Sequence, residues 1–128
     1  MTLERHVAPG LFPPPAYSHA VAVAAGRTVY SAGAVPLAAD GSIVGVGDVR
    51  AQARQVIENL AVALDVAGVS LAEVAKTTVY VVGDRAELAA AWEVVRDSDL
   101  AGAASTLLGV SALGYPGQLV EIEAVAAG

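Results

Sequence analysis

The chain has 128 residues, a length that makes one domain the default, with 55% hydrophobic residues and 16% charged residues. Ordinary soluble domains carry about 25% charged residues, so a monomer would lack the polar groups to cover its surface, and the deficit predicts burial against other copies of the chain. The net charge of −6 and the scattering of Arg5, Arg27, Arg50, Arg54, Lys76, Arg85 and Arg96 leave no basic stripe for nucleic acid, and the absence of cysteine excludes disulfides, thiolate ligands and thiol nucleophiles.

Met1-Thr2-Leu3-Glu4-Arg5-His6 lacks a basic region followed by an apolar core and a cleavage site, so no signal peptide is read there and a cytoplasmic location is expected. Pro13-Pro14-Pro15 predicts an extended loop, followed by Tyr17-Ser18-His19. Two strand-like runs, Ala20 to Ala24 and Thr28 to Ala32, are joined through Gly26. Asp40-Gly41 reads as a hairpin turn with arms at Val35 to Leu37 and Ser42 to Val44.

Asp48 is placed to cap a long helix whose apolar stripe is Val49, Ala53, Val56, Ile57, Leu60, Leu64 and Ala67, with Gly68 at its end. Ser70-Leu71-Ala72-Glu73 is a capping-box pattern opening a short helical turn. Val74 to Val82 is β-branched and bounded by Gly83, which predicts a strand. Asp84 and Glu87 form a second capping box before a helix with Leu88, Ala91, Trp92 and Val95 on one face. Strands near Thr106 to Val110 and from Gln118 to Ala126 close the chain. The uncharged stretch from Leu100 to Val120 is long enough for a bilayer, but Gly102, Gly109, Gly114, Pro116 and Gly117 break it, so no membrane span is expected.

The order β-β-β-α-β-α-β-β predicts a single α+β domain over residues 1–128, with both helical stripes on one sheet face. The other face, read as too apolar for water, is expected to meet other subunits.

Few residues are candidates for chemistry. His6 and His19 are the only histidines, too few for a clustered metal site of about three ligands. His19 has the intrinsic acidity of a general base, but a loop histidine bonded to backbone is the favoured reading. Gly41, Gly45 and Gly47 do not form a phosphate-binding loop, and no serine-nucleophile elbow is present, so no cofactor is implied. Glu121 and Glu123 share one face of the last strand, opposite Val120 and Ile122. A solvated strand face is the plain reading. If that face is a subunit interface, the carboxylates are partly desolvated and suited to proton transfer.

Tyr17-Ser18-His19-Ala20, Ser31-Ala32-Gly33-Ala34-Val35-Pro36, Gln55-Val56-Ile57-Glu58-Asn59-Leu60, Val74-Ala75-Lys76-Thr77-Thr78-Val79-Tyr80 and Leu119-Val120-Glu121-Ile122-Glu123-Ala124 together resemble the Rid/YjgF family, from about residue 8 to residue 126. The resemblance implies a chorismate-mutase-like fold, with one mostly antiparallel mixed sheet and two helices packed on one face. It also implies a homotrimer with a small-molecule cleft at each subunit interface. The best-known activity of the family is cofactor-free hydrolysis of enamines and imines to 2-oxo acids and ammonia. In that chemistry an arginine grips the substrate carboxylate, a glutamate on the last strand handles the water, and a tyrosine and early-loop backbone shape the pocket.

Carried over residue by residue, Tyr17, Gly33 and Glu121 match the family pattern. The arginine does not. With one inserted residue allowed near Gly114 to Pro116, Ser105 takes its position, and Ala89 to Ala91 stand where the family has an asparagine. The resemblance thus implies a pocket of Tyr17, Ser105, Thr106 and Glu121, favouring a neutral or cationic small molecule over a 2-imino carboxylate. Altered or lost deaminase activity is the leading expectation. An active deaminase with carboxylate binding supplied by backbone or by a neighbouring subunit is one alternative, and a non-catalytic interaction protein another. Family members have also been described as ribonucleases, for which the scattered basic residues give no physical support.

Overall fold

Valine and threonine at alternating positions make Val74–Val82 (β4) a strand with one buried face, on which Thr77, Val79 and Val81 are almost wholly excluded from solvent. In the computed structural model, which describes residues 3–24 and 26–128, β4 lies at the centre of a four-stranded sheet. Thr28–Tyr30 (β3), Val120–Ala127 (β6), β4 and Ala104–Val110 (β5) stand in the order β3-β6-β4-β5. β6 is antiparallel to both β3 and β4, whereas β5 is parallel to β4. A parallel pair needs a crossover, and Arg85–Arg96 (α2) supplies it.

Val49–Val66 (α1) forms where the sequence places it. The Asp48 carboxylate accepts the Ala51 N–H at 3.0 Å, and Gly68 takes φ +83° just beyond the last turn. Arg27 donates to the Ala67 carbonyl at the same end. Leu71–Glu73 is a 3₁₀ turn, with the Ser70 N–H donating to the Glu73 carboxylate at 3.0 Å. α2 opens on the second capping box, with Asp84 accepting from Ala86 N–H at 2.9 Å while its own N–H donates to Glu87 at 3.1 Å. Both helices lie on one sheet face. Val56, Leu60 and Leu64 of α1 and Ala91 and Val95 of α2 meet Val79, Val81, Val120 and Ile122 in one core.

The N-terminal part differs from the sequence reading. Leu3–His6 (β1) is a strand that no apolar run announces, and it pairs with Ala20–Val23 (β2) in a separate antiparallel ribbon. β3 follows β2 in sequence yet pairs with β6. The Asp40-Gly41 turn is present, closed by the Gly41 N–H on the Ala38 carbonyl and by Asp40 accepting from Ser42, but its arms share only the bridge between Leu37 and Ile43. The hydroxyl and N–H of Ser42 hold the Asp40 carboxyl below the ordinary aspartate range. The order β-β-β-α-β-α-β-β therefore holds with β1, not the Asp40 hairpin, among its first three strands. Met1, Thr2 and Ala25 lie outside the described residues, so the structure does not bear on the signal-peptide reading at Met1-Thr2. No helix among the described residues is long and apolar enough to cross a membrane.

Candidate functional site

Alternation along β6 turns Val120, Ile122 and Ala124 into the core and sends Glu121 and Glu123 to the helix-free face. Glu121 is half-buried there, and two neighbours hold it. The Gln118 amide, itself buried, donates to Glu121 Oε1 and to the Val120 carbonyl, each at 3.1 Å, and its own oxygen accepts the Tyr115 N–H at 3.2 Å. On the other side the chain at Gly33 passes against the carboxylate. Ala34 exchanges hydrogen bonds of 2.8 and 3.2 Å with Ile122, and a β-carbon added at Gly33 would lie 2.6 Å from Glu121 Cδ. Glycine stands at 33 because the Glu121 side chain occupies the space of a side chain there.

Glu123 accepts the Tyr80 hydroxyl at 2.7 Å. That bond, with smaller contributions from burial and from the charges of Glu123 and Glu121, raises the phenol above the ordinary tyrosine range. A raised phenol stabilises the fold fully below the ordinary tyrosine pKa, and the contribution is lost as pH climbs through the folded value. Glu123→Gln is expected to bring the phenol down toward the ordinary range. Ultraviolet titration of the phenolate, with Tyr80→Phe identifying the signal among the four tyrosines, checks it. An unchanged curve in Glu123→Gln would refute the assignment.

α1 positions both walls around Glu121 through two polar side chains on its inner side. Gln52 is fully buried. Its amide donates to the Gly45 and Gly117 carbonyls at 3.1 and 3.0 Å, and its oxygen accepts the Leu119 N–H at 2.7 Å. This fixes the loop that carries Gln118. Asn59 donates to the Val35 and Leu37 carbonyls at 2.8 and 3.0 Å while accepting from Gln55 at 3.0 Å, which fixes the segment that carries Gly33. Sequence reasoning listed only the apolar members of the stripe and missed Gln52. The available signal was a glutamine three residues after Val49 and four before Val56, inside the stripe itself.

Tyr17 and Ser105 lie elsewhere. Ser105 pairs with Thr77 and points toward the helices, and the Thr77 hydroxyl donates to Ser105 Oγ at 2.8 Å. Tyr17 meets Trp92 of α2 edge-on, with ring centroids 6.3 Å apart, and Trp92 Nε1 donates to the Pro15 carbonyl at 3.2 Å. Pro15, Tyr17, Trp92, Ser105 and Leu107 line a small cleft of about 150 Å³. Thr106, next in the strand, points to the opposite face, where Lys76 Nζ donates to its hydroxyl at 2.7 Å. Within one chain the structure therefore brings Gly33 to Glu121 and Tyr17 to Ser105. Thr106 shares the Glu121 face, but on β5, with β4 between them.

The helix-free face is not the apolar surface expected. Two separate polar pairs, Lys76 with Thr106 and Tyr80 with Glu123, occupy its centre beside Thr78, flanked by Tyr30, Val125 and Leu108. The cause is alternation through Lys76–Val81 of β4 and Val120–Ala124 of β6, which sends Val79, Val81, Val120, Ile122 and Ala124 inward. His19 is engaged at both ring nitrogens. Nδ1 accepts the Ala8 N–H at 2.9 Å, which places the proton on Nε2 for donation to the Phe12 carbonyl at 3.1 Å. His19 thus staples the Val7–Phe12 loop, the favoured sequence reading. Among the described residues no group of three or more histidine or carboxylate side chains is placed to hold a metal ion.

A mixed sheet covered on one face by two helices, with a glycine-backed glutamate on the other, defines an α+β domain whose polar chemistry sits away from its helices. The family model described as endoribonuclease L-PSP matches residues 11–128, and the chain belongs to this family, the Rid/YjgF proteins. A Rid family protein, YyfB from Yersinia pestis, is 37% identical over 99% of both chains with a TM-score of 0.88. RidA from a Psychrobacter species is 30% identical over 96% of this chain and 93% of its own, with a TM-score of 0.69. E. coli TdcF, solved with bound serine, is 29% identical over 100% and 98%, with a TM-score of 0.70. The chorismate-mutase-like fold implied by the motifs is the one shared with these neighbours. A RutC family protein from Pyrococcus horikoshii is 38% identical over 68 residues, 53% of this chain and 54% of that protein, so the match spans about half the length of the curated relatives.

Proposed function

We propose that the protein is a cytoplasmic, homotrimeric Rid-type protein with small-molecule pockets between subunits, in which Glu121 is the proton-handling group and turnover of 2-imino carboxylates is strongly reduced. The observation that carries this reading is the placement of Glu121. Its carboxylate is held by Gln118 and backed by Gly33 on the helix-free face, while Tyr17 and Ser105 line a cleft on the helix side. Two half-sites on opposite faces of one sheet work together only when a second copy brings its Glu121 to the first copy's cleft. The low charge content supplies the reason for copies to associate.

The chemistry of such a pocket is hydrolytic. Water adds across a C=N bond as Glu121 takes its proton. The proton then passes to nitrogen, and the carbinolamine collapses to a carbonyl compound and ammonia. No cation lines the Tyr17–Ser105 cleft to grip a carboxylate. Loss of a buried charge-assisted grip costs several kcal/mol, roughly 10²- to 10³-fold in kcat/KM.

Two measurements test the reading. Sedimentation analysis is expected to return a trimer. An assay coupled to ammonia release is expected to show 2-iminobutanoate hydrolysis far slower than that of a family member carrying the arginine, with the residual rate removed by Glu121→Ala. Fast turnover abolished by Glu121→Ala would establish an ordinary deaminase instead, and a monomer would sink the shared pocket. RNA binding that weakens steeply with salt would overturn the exclusion of nucleic acid.

A further inference from the structure

We propose that His19 is a pH-operated latch: a second proton on its ring releases the Ala8–Phe12 loop and loosens the contact between Tyr17 and Trp92 behind it. The inference goes beyond the proposed function and rests neither on the ligand of the pocket nor on the assembly of copies.

Both bonds of the latch involve backbone groups that have no choice of role. The Ala8 N–H can only donate, so Nδ1, at 2.9 Å, is an unprotonated acceptor. The Phe12 carbonyl can only accept, so Nε2, at 3.1 Å, carries the one proton of the ring. The loop is therefore closed on the neutral ring in a single tautomer. A second proton has only Nδ1 to bind, and there it would confront the Ala8 N–H, donor against donor. The open loop tolerates the charged ring and the closed loop does not, so opening takes up a proton and acid favours it.

Little else holds the loop. Among the described residues these two are the only hydrogen bonds from residues 8–12 to the rest of the chain, the Leu11 N–H being turned back on the Ala8 carbonyl. Val7, Leu11 and Phe12 are exposed, so apolar burial within the chain adds little. Beyond Pro13-Pro14-Pro15 the chain is pinned instead. The Gly102 N–H donates to the Ala16 carbonyl at 3.0 Å, and the Ser18 hydroxyl donates to the Gly102 carbonyl at 2.6 Å. Ala16 stands at the joint with φ +69°, the left-handed region that crowds an L side chain. With its far side pinned, relaxing that angle moves Pro15 and the loop before it, and so strains the bond from Trp92 Nε1 to the Pro15 carbonyl. The His19 ring also meets Tyr17 edge-on at 6.1 Å, and Tyr17 meets Trp92 at 6.3 Å. Release of the loop thus reaches Trp92 by two routes.

The groups around the ring leave it as the titrating element. Residues 7–16 carry no ionisable side chain, and Tyr17 is the ionisable neighbour on its own segment. In β1, beside β2, Glu4 pairs with His6 at 3.7 Å and Arg5 reaches the Ala72 carbonyl at 3.4 Å. β4, which β2 also touches, carries Lys76 and Tyr80, bonded to Thr106 and Glu123. The Glu121 of a second copy, brought to the Tyr17 cleft as proposed above, is an anion, and beside the ring it favours the second proton and acts in the same direction.

Two readouts on the intact protein test the latch between about pH 8 and pH 5, the span in which histidines titrate. The exchange protection of the Ala8 amide is expected to fall with pH by a factor approaching about tenfold per unit, because one proton is taken up on opening. The emission of Trp92, the single tryptophan, is expected to change over the same span. His19→Gln keeps an acceptor and a donor on a side chain that does not titrate, so it is expected to hold the loop closed and abolish both changes. His6→Gln is expected to leave both in place. Protection of Ala8 that is independent of pH, or a transition that survives His19→Gln or vanishes in His6→Gln, would overturn the latch. Release of Ala8 with unchanged Trp92 emission would overturn its reach to Tyr17. Should His19→Gln fail to fold, the ring ¹⁵N shifts of the wild-type protein decide. They are expected to show the Nε2–H tautomer at high pH and both nitrogens protonated as Ala8 is released. A ring that gains its second proton while Ala8 stays protected would overturn the proposal.

Discussion

Gln52→Ala is expected to lower the unfolding free energy by about 3–5 kcal/mol, although the residue substituted is polar and sits on a helix. Gln52 is fully buried and serves three backbone groups, the carbonyls of Gly45 and Gly117 and the N–H of Leu119. Truncation takes the side-chain partner from these groups, at about 1–3 kcal/mol for each that stays unpaired, and it opens a cavity the size of the lost amide beside the core. Gln52→Met separates the two terms. It restores most of the volume but none of the hydrogen bonds, so it is expected to recover only the smaller part of the loss. Denaturant unfolding at one fixed protomer concentration is the measurement, because association contributes to apparent stability. A loss below about 1 kcal/mol for Gln52→Ala would mean that the three backbone groups find other partners. The same variant loosens the loop that aims Gln118 at Glu121, so the stability defect should be accompanied by a site defect.

Gly33→Ala is expected to do the reverse, sparing the fold and disabling the site. Gly33 does not need the left-handed conformation, since it is absent from the glycines with positive φ among the described residues. Alanine therefore meets no backbone penalty there. It meets Glu121 instead: a β-carbon at this position would lie 2.6 Å from Cδ and 2.9 Å from Cγ of that side chain. The carboxylate is the flexible end of the pair and must swing away, which breaks its bond with Gln118. A shift of about 1 Å in a positioned catalytic group costs on the order of 10²-fold in rate. The expected result is a change in unfolding free energy within about 1 kcal/mol together with a loss of Glu121-dependent turnover close to that of Glu121→Ala. Ammonia release and denaturant unfolding, measured on the same preparation, check both halves. Retained turnover in Gly33→Ala would show that Glu121 works from another rotamer, or not at all.

Much of the local structure was legible from residue types alone. Asp48, Ser70 and Asp84 mark the starts of helical segments because a cap is a contract between neighbours three residues apart. Gly68 ends α1 for an equally local reason. β4 and β6 announce themselves through β-branched residues in alternation, and Glu121 with Gly33 could be singled out by their matching motifs. β1 could not, because Leu-Glu-Arg-His has neither length nor an apolar rhythm and is a strand only because β2 lies beside it. The grouping of Ser105 with Thr106 in one pocket overlooked a rule already available: adjacent strand residues point to opposite faces.

The sequence by itself determined the elements, their caps and the family motifs, all of which depend on interactions within a few residues along the chain. Only the tertiary structure decided which strand pairs with which, that Gln52 and Asn59 brace the walls of the site from inside the helix layer, and that Glu121 and Ser105 face away from one another. The physical reason is register. A strand shows its alternation in sequence, but the face it turns to the helices is set by partners as far away as residue 122 is from residue 34. A buried polar side chain likewise earns its place from backbone groups that no local pattern reveals.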